Sequence, residues 1–124
     1  MARGLVDLAQ RIEVIAVDFD GTLVENKYPK VGKLIDKAKA VVNRFALSGG
    51  KVMIWTCREG SSRLEAIEFL RRNGVMFHAV NDNIPERVRK FGNNCRKVGA
   101  DMYIDDRANG GLDWDRVEEV LFGR

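Results

Sequence analysis

The stretch Val14-Ile15-Ala16-Val17-Asp18-Phe19-Asp20-Gly21-Thr22-Leu23 decides how this chain is read. Its first four residues are apolar and mostly β-branched, as expected of a strand covered on both faces in a parallel sheet, and Asp20-Gly21 then turns the chain. Side chains alternate along an extended chain, so Asp18 and Asp20 project to one side while Phe19 points away into apolar surroundings. Two such carboxylates repel by about 4 kcal/mol at roughly 4 Å and an effective dielectric constant of about 20, so the pair calls for a cation or a proton between them. A competing reading makes Asp20-Gly21 the turn of a hairpin, with residues 14–19 paired to residues 22–24. The remainder of the chain decides between the two.

Downstream of this stretch, residues 21–30 form a short excursion. Leu34, Ile35, Ala38, Val41, Val42 and Phe45 then recur at helical spacing, and Ser48-Gly49-Gly50 stops that helix. Val52-Met53-Ile54-Trp55 reads as a second buried strand with Thr56 at its end. Ser62 and Glu65 have the spacing of a capping box for a helix carrying Leu64, Ile67 and Leu70, closed by Gly74. Residues 75–80 are expected to be a third strand, residues 86–100 have weak periodicity, and Met102-Tyr103-Ile104 reads as a fourth strand running into Asp105-Asp106. Asp113 is placed to cap a last helix bearing Trp114, Val117, Val120 and Leu121. Strands alternating with helices imply an α/β fold, a Rossmann-like three-layer α/β/α sandwich on a parallel sheet, with ligands outside the carboxyl ends of the strands.

The 124 residues suit a single catalytic domain over residues 1–124, with residues 1–12 as a leading tail or short helix. With 45% apolar and 31% charged residues, no apolar run near 20 and no secretory h-region in residues 1–10, the expectation is a cytoplasmic protein without membrane contact. The net charge of +3 is spread along the chain, and Arg87-Val88-Arg89-Lys90 with Arg96-Lys97 reads as a solvated face without an aromatic ladder for nucleic acid. Cys57 and Cys95 are expected as reduced thiols, Trp55 and Trp114 as core, and the lone His78 as a partly exposed loop-edge residue.

The chemistry gathers at three strand ends: Asp18 and Asp20 after the first, Thr56 after the second, and Asp105 and Asp106 after the fourth. Asp and Thr also favour the loops and caps that follow strands. If the three ends converge, however, the acids form an all-oxygen pocket suited to Mg²⁺, with a hydroxyl and a lysine left for a phosphoryl group.

The ordered set, Asp18-Phe19-Asp20-Gly21-Thr22, then Thr56, a lysine and Asp105-Asp106, resembles the haloacid dehalogenase superfamily of hydrolases, in a small form without a cap domain. The resemblance runs from about residue 14 to residue 107. It implies a Mg²⁺-dependent phosphohydrolase acting on a small phosphorylated metabolite or nucleotide through an aspartyl-phosphate. Asp18 would be the nucleophile, and Asp20 the acid and then the base. Asp18, the Asp20 carbonyl, Asp105 and Asp106 would hold the metal. Gly21, Thr22, Thr56, Cys57, Arg58 and a lysine would meet the substrate. The superfamily pattern favours Lys97 for that lysine, while helix geometry favours Lys90. With only a flap at residues 21–30, the site is open unless a second copy of the chain or a large substrate covers it. Glu25, Tyr28 and Arg58 are then candidates for substrate contact.

Two other readings share these residues. Cys57-Arg58-Glu59-Gly60-Ser61-Ser62-Arg63 has the spacing of a cysteine-dependent phosphatase loop, although Thr56 stands where a His usually precedes the Cys. A phosphate-binding or phosphoacceptor signalling domain also gathers Asp, Thr and Lys at strand ends. There, by resemblance to response-regulator receivers, the acidic pair comes early rather than last.

Overall fold

The computed structural model describes residues 12–94, 98–107 and 111–123. Four parallel strands, β1 (Val14–Asp18), β2 (Lys51–Trp55), β3 (Ala79–Val80) and β4 (Met102–Ile104), lie in the order β3-β2-β1-β4. Four helices join them: α1 (Asp36–Leu47), α2 (Gly60–Arg72), α3 (Pro85–Phe91) and α4 (Trp114–Phe122). The architecture is an open Rossmann-like α/β/α sandwich, and the hairpin reading is excluded. Beyond β1, the N–H groups of Thr22, Leu23 and Val24 all converge on the Phe19 carbonyl. Val24 then bridges Leu34 instead of returning along β1.

Alternation along β1 sends Ile15 and Val17 to one face of the sheet and Val14 and Ala16 to the other. The first face is thickly covered. Ala38, Val41, Val42 and Phe45 of α1, Ala66 and Leu70 of α2, and Trp114, Val117 and Leu121 of α4 close over it. In α1 these residues fall at the i, i+3, i+4, i+7 positions that make a helix one-sided. The second face is thin: among the described residues, Val14, Ala16 and Met53 meet only Ile84 and Val98 as buried partners, and α3 buries none of its own side chains.

Several sequence expectations need correction. Trp55, on the thin face, is 41% exposed against Tyr103, with ring centroids 5.4 Å apart, so it is not a core residue, whereas Trp114 is. Leu64 is exposed because the inward stripe of α2 runs through Ala66 and Leu70. Ser62 does not cap that helix: α2 starts at Gly60, and the Ser62 hydroxyl donates to the Glu59 carbonyl. The third strand is two residues long rather than six. Asp113 does cap α4, its carboxylate accepting from the Asp115 N–H at 3.0 Å. Among the described residues no helix is long and apolar enough to cross a membrane.

Candidate active site

The strand register assembles the site. Asp18 is the last residue of β1 and lies opposite Trp55 of β2, while Val17 lies opposite Ile104 of β4. One step further along each strand, Thr56 and Asp105 therefore emerge beside Asp18. Together with Asp20, Asn26, Tyr28, Cys57, Arg58, Asp106 and Arg107 they line a cleft of about 420 Å³ at the carboxyl edge of the sheet.

Asp18, Asp105 and Asp106 each bring a carboxylate oxygen within 4.8 Å of the others. Burial pushes the Asp18 carboxyl from the ordinary 3.8 up to about 7, with the Asp105 charge adding to it and the bonds from the Phe19 amide and Thr22 hydroxyl opposing. Asp106 is also raised, by burial and then by Asp105. Thr22 organises this cluster from beneath. Completely buried, its hydroxyl donates to Asp18 Oδ2 at 3.1 Å and accepts from the Asp106 N–H at 3.0 Å, and its carbonyl accepts from Trp114 Nε1. At Gly21, φ of +81° favours glycine, and an added Cβ would also push the Asp106 carboxylate out of its place. Its N–H donates to the Val24 carbonyl. Thr22 and Gly21 thus shape the acid cluster.

Asp20 stands apart from the cluster. Both its oxygens accept from Arg58, from Nε and from an Nη, each at 2.8 Å. The same guanidinium donates to the Pro29, Lys30 and Ser62 carbonyls, so all five of its N–H groups bond to protein. Arg58 is 1% exposed, and its Cζ lies 5.2 Å from the Phe19 ring centroid and 5.0 Å from that of Tyr28. This corrects its assignment as a substrate contact: it is the clamp between strand end, flap and α2. Asp20 accordingly offers a metal only its main-chain carbonyl in this arrangement.

Thr56, 9% exposed, lines the cleft. Its hydroxyl accepts from the Arg58 N–H, which leaves the hydroxyl proton to be donated into the cleft. Its backbone is held at both ends by Asn81, whose side chain accepts from Thr56 N–H and donates to Thr56 O. Asn81 adopts φ of +50°, and sequence reading passed it over; the Asn tolerance for that conformation was the available signal. Arg107, exposed at the rim, was also missed.

Of the two lysines, Lys97 lies outside the described residues. Lys90 falls in the last turn of α3 and, with Glu86 and Arg87 of the same helix, lines a cavity beside Glu13 and Lys51 at the amino edge of the sheet. Glu25 is exposed on the flap and does not line the cleft. Cys57 lines it as a free thiol, but Arg63 does not, and the Arg63 N–H is bonded to the Glu59 carbonyl. Arg63, which a cysteine-dependent phosphatase loop would use with Cys57 to hold a phosphate, thus does not face the cleft. The basic residue Arg87 is paired with Asp101 at 2.7 Å and Glu13 at 3.7 Å. Cys95 and Ala108-Asn109-Gly110 lie outside the described residues.

Among solved structures, that of the conserved protein coded by a locus of Bacteroides thetaiotaomicron is similar, with a TM-score of 0.76 and 40% identity over 87% of this chain and 88% of that one. No family model matches the chain, and no curated protein matches it.

Proposed function

The chain belongs to the family of that conserved Bacteroides thetaiotaomicron protein, and we propose that it is a Mg²⁺-dependent phosphohydrolase of haloacid dehalogenase type, working through an aspartyl-phosphate on Asp18. The observation that carries this reading is the convergence of Asp18, Asp105 and Asp106 at adjacent parallel strand ends, beside Thr56. Three carboxylates so close are mutually unfavourable and suit a hard divalent cation. Each of the three acids offers one oxygen, all within 4.8 Å of one another, and such a set of hard oxygen donors suits Mg²⁺. Asp18, Asp105 and Asp106, with the main-chain carbonyl of Asp20, would hold it. Mg²⁺, when bound, neutralises the phosphoryl oxygens and keeps Asp18 ionised.

In the first step an Asp18 oxygen attacks phosphorus and the bond to the leaving oxygen breaks. Thr56 donates its hydroxyl proton as a hydrogen bond to a phosphoryl oxygen, and Arg107 at the rim balances charge from the solvent side. Asp20 has two tasks. Each of its oxygens keeps a lone pair beyond its one Arg58 bond. The carboxyl would deliver a proton to the leaving oxygen and then take one from the hydrolytic water with the clamp in place. Water then attacks the phosphorus of the aspartyl-phosphate, releasing phosphate and returning Asp18.

The test is hydrolysis of p-nitrophenyl phosphate with and without Mg²⁺ by the wild type, Asp18→Asn and Cys57→Ser. Expected are turnover that requires Mg²⁺, persists in Cys57→Ser, and falls by about 10⁴-fold or more in Asp18→Asn. Metal-independent turnover that dies with Cys57 would sink the proposal.

A further inference from the structure

The flap residue Tyr28 has a role that phosphoryl transfer does not require. The residue is 61% exposed and lines the same cleft as Asp18, Thr56 and Asp105, yet the flap that carries it is tied down. The Tyr28 N–H donates to Asn26 Oδ1, the next two carbonyls accept from Arg58, and the Arg58 guanidinium lies 5.0 Å from the ring centroid. That guanidinium is itself fixed by Asp20 and by the Phe19 ring, so Tyr28 is coupled to the strand end through one buried cation. An exposed aromatic ring normally costs solubility without ordering anything. Here it is pre-organised over a cleft of about 420 Å³, within the range of roughly 300–1,000 Å³ that encloses small-molecule ligands and well beyond the needs of a phosphoryl group.

The cation beneath the ring also selects what can lie above it. Arg58 draws on the negative π face, so a second cation on the outer face would compete for the same quadrupole, whereas a neutral planar ring stacks without that conflict. Building on the phosphohydrolase reading, we infer that the substrate is a phosphomonoester whose alcohol part carries an uncharged planar ring of nucleobase size, stacked on Tyr28 while its phosphate meets the acid cluster. Nucleoside monophosphates are the chemical class that fits. Asn26, in the same cleft, supplies an amide for the edge of such a ring.

The experiment compares kcat/KM for uridine 5′-monophosphate and ribose 5-phosphate, with Mg²⁺, in the wild type, Tyr28→Phe and Tyr28→Leu. Base–aromatic stacking predicts that the wild type favours the nucleotide by about tenfold or more, chiefly through KM. Tyr28→Phe should retain that preference and Tyr28→Leu should bring the ratio towards one. A wild-type ratio near one, or an unchanged ratio in Tyr28→Leu, overturns the inference while Mg²⁺- and Asp18-dependent turnover leaves the phosphohydrolase reading standing. No Mg²⁺-dependent turnover of either compound overturns the inference, and p-nitrophenyl phosphate hydrolysis in the same samples decides the phosphohydrolase reading separately.

Discussion

Asp18 and Asp101 occupy opposite ends of the same sheet and are treated in opposite ways. At the amino edge, Asp101 Oδ2 accepts from the Glu13 N–H at 2.8 Å, the Val14 N–H at 3.0 Å and Arg87 at 2.7 Å. Burial alone would raise its carboxyl, but these bonds outweigh it and hold the group below the usual carboxylate range. At the carboxyl edge, Asp18 is given one hydroxyl bond, one amide and two acidic neighbours, and it is raised to about 7. One aspartate ties the first strand to the loop before the fourth. The other is kept at a cost in stability, which is the pattern expected where a fold stores unfavourable charge for chemistry.

Asp20 crosses this division, and it gives the largest expected effect. It sits at the reactive edge but is satisfied as fully as Asp101, by a guanidinium that is itself buried. Arg58→Ala would strand the Asp20 carboxylate and three flap and helix carbonyls together, and removal of one partner of a buried pair costs about 3–5 kcal/mol. Urea unfolding should register a loss of about 3 kcal/mol or more; less than about 1 kcal/mol would mean that the clamp contributes little to holding the edge together. Arg58→Lys keeps the charge but has three donors for five positions, so it should recover only part of the loss.

Asp101→Asn and Asp18→Asn then sharpen the contrast, because they should shift stability in opposite directions. Asp101→Asn weakens three charge-assisted bonds and should destabilise by about 2 kcal/mol at neutral pH. For Asp18 the folded carboxyl is raised from 3.8 to about 7, so the folded state binds the extra proton between those values. Without a divalent cation, the wild type should lose stability as pH rises from about 4 through about 7. After allowance for solvent screening this amounts to about 1 kcal/mol, and Asp18→Asn should remove that slope and be the more stable protein at pH 8. Added Mg²⁺ should restore the wild type at pH 8 and do little at pH 5. Thermal melts of both proteins at the two pH values check this; parallel pH profiles would contradict the assignment of Asp18.

What the sequence revealed follows the same line. Residues whose role depends on their own strand were legible: the run from Val14 to Val17, the acids at two strand ends, Thr56 at a third, and the Asp113 cap. Residues whose role depends on distant chain were not. Arg58 reads as a charged loop residue until Asp20 and the carbonyls of Pro29 and Lys30, about thirty residues upstream, close around it. Lys90 was the geometric alternative to Lys97, on the expectation that a helix before the fourth strand starts near the site and ends far from it; α3 begins at Pro85, so Lys90 is already in its last turn. Thr22 was expected to meet substrate by resemblance alone, and no local signal announces that its hydroxyl is shared between Asp18 and Asp106.

The third strand is the remaining difference, and His78 supplies the smallest test. Residues 75–80 have strand-like composition, yet only Ala79 and Val80 pair as strand residues at this edge. Just before them, the His78 N–H donates to the Val52 carbonyl, and its Nδ1 accepts from the Val52 N–H at 2.9 Å. A side-chain nitrogen thus stands where a backbone carbonyl would continue the ladder, and it can accept only while unprotonated. Burial chiefly, and the Lys51 charge after it, lower the imidazole from its usual 6.5 despite Glu86 nearby. The unfolded chain therefore takes up the proton first. The stability from this contact is complete above about pH 6.5 and is lost as pH falls through the lower folded value. Because the ring is largely solvated, the effect should be a few tenths of a kcal/mol. It is best read locally, from Val52 amide exchange that quickens below about pH 6 in the wild type beyond the ordinary pH trend. In His78→Ala the same amide should exchange faster at neutral pH and lose that acid-side acceleration. Equal Val52 protection in the two proteins at pH 7.5 would show that the imidazole does not extend the ladder.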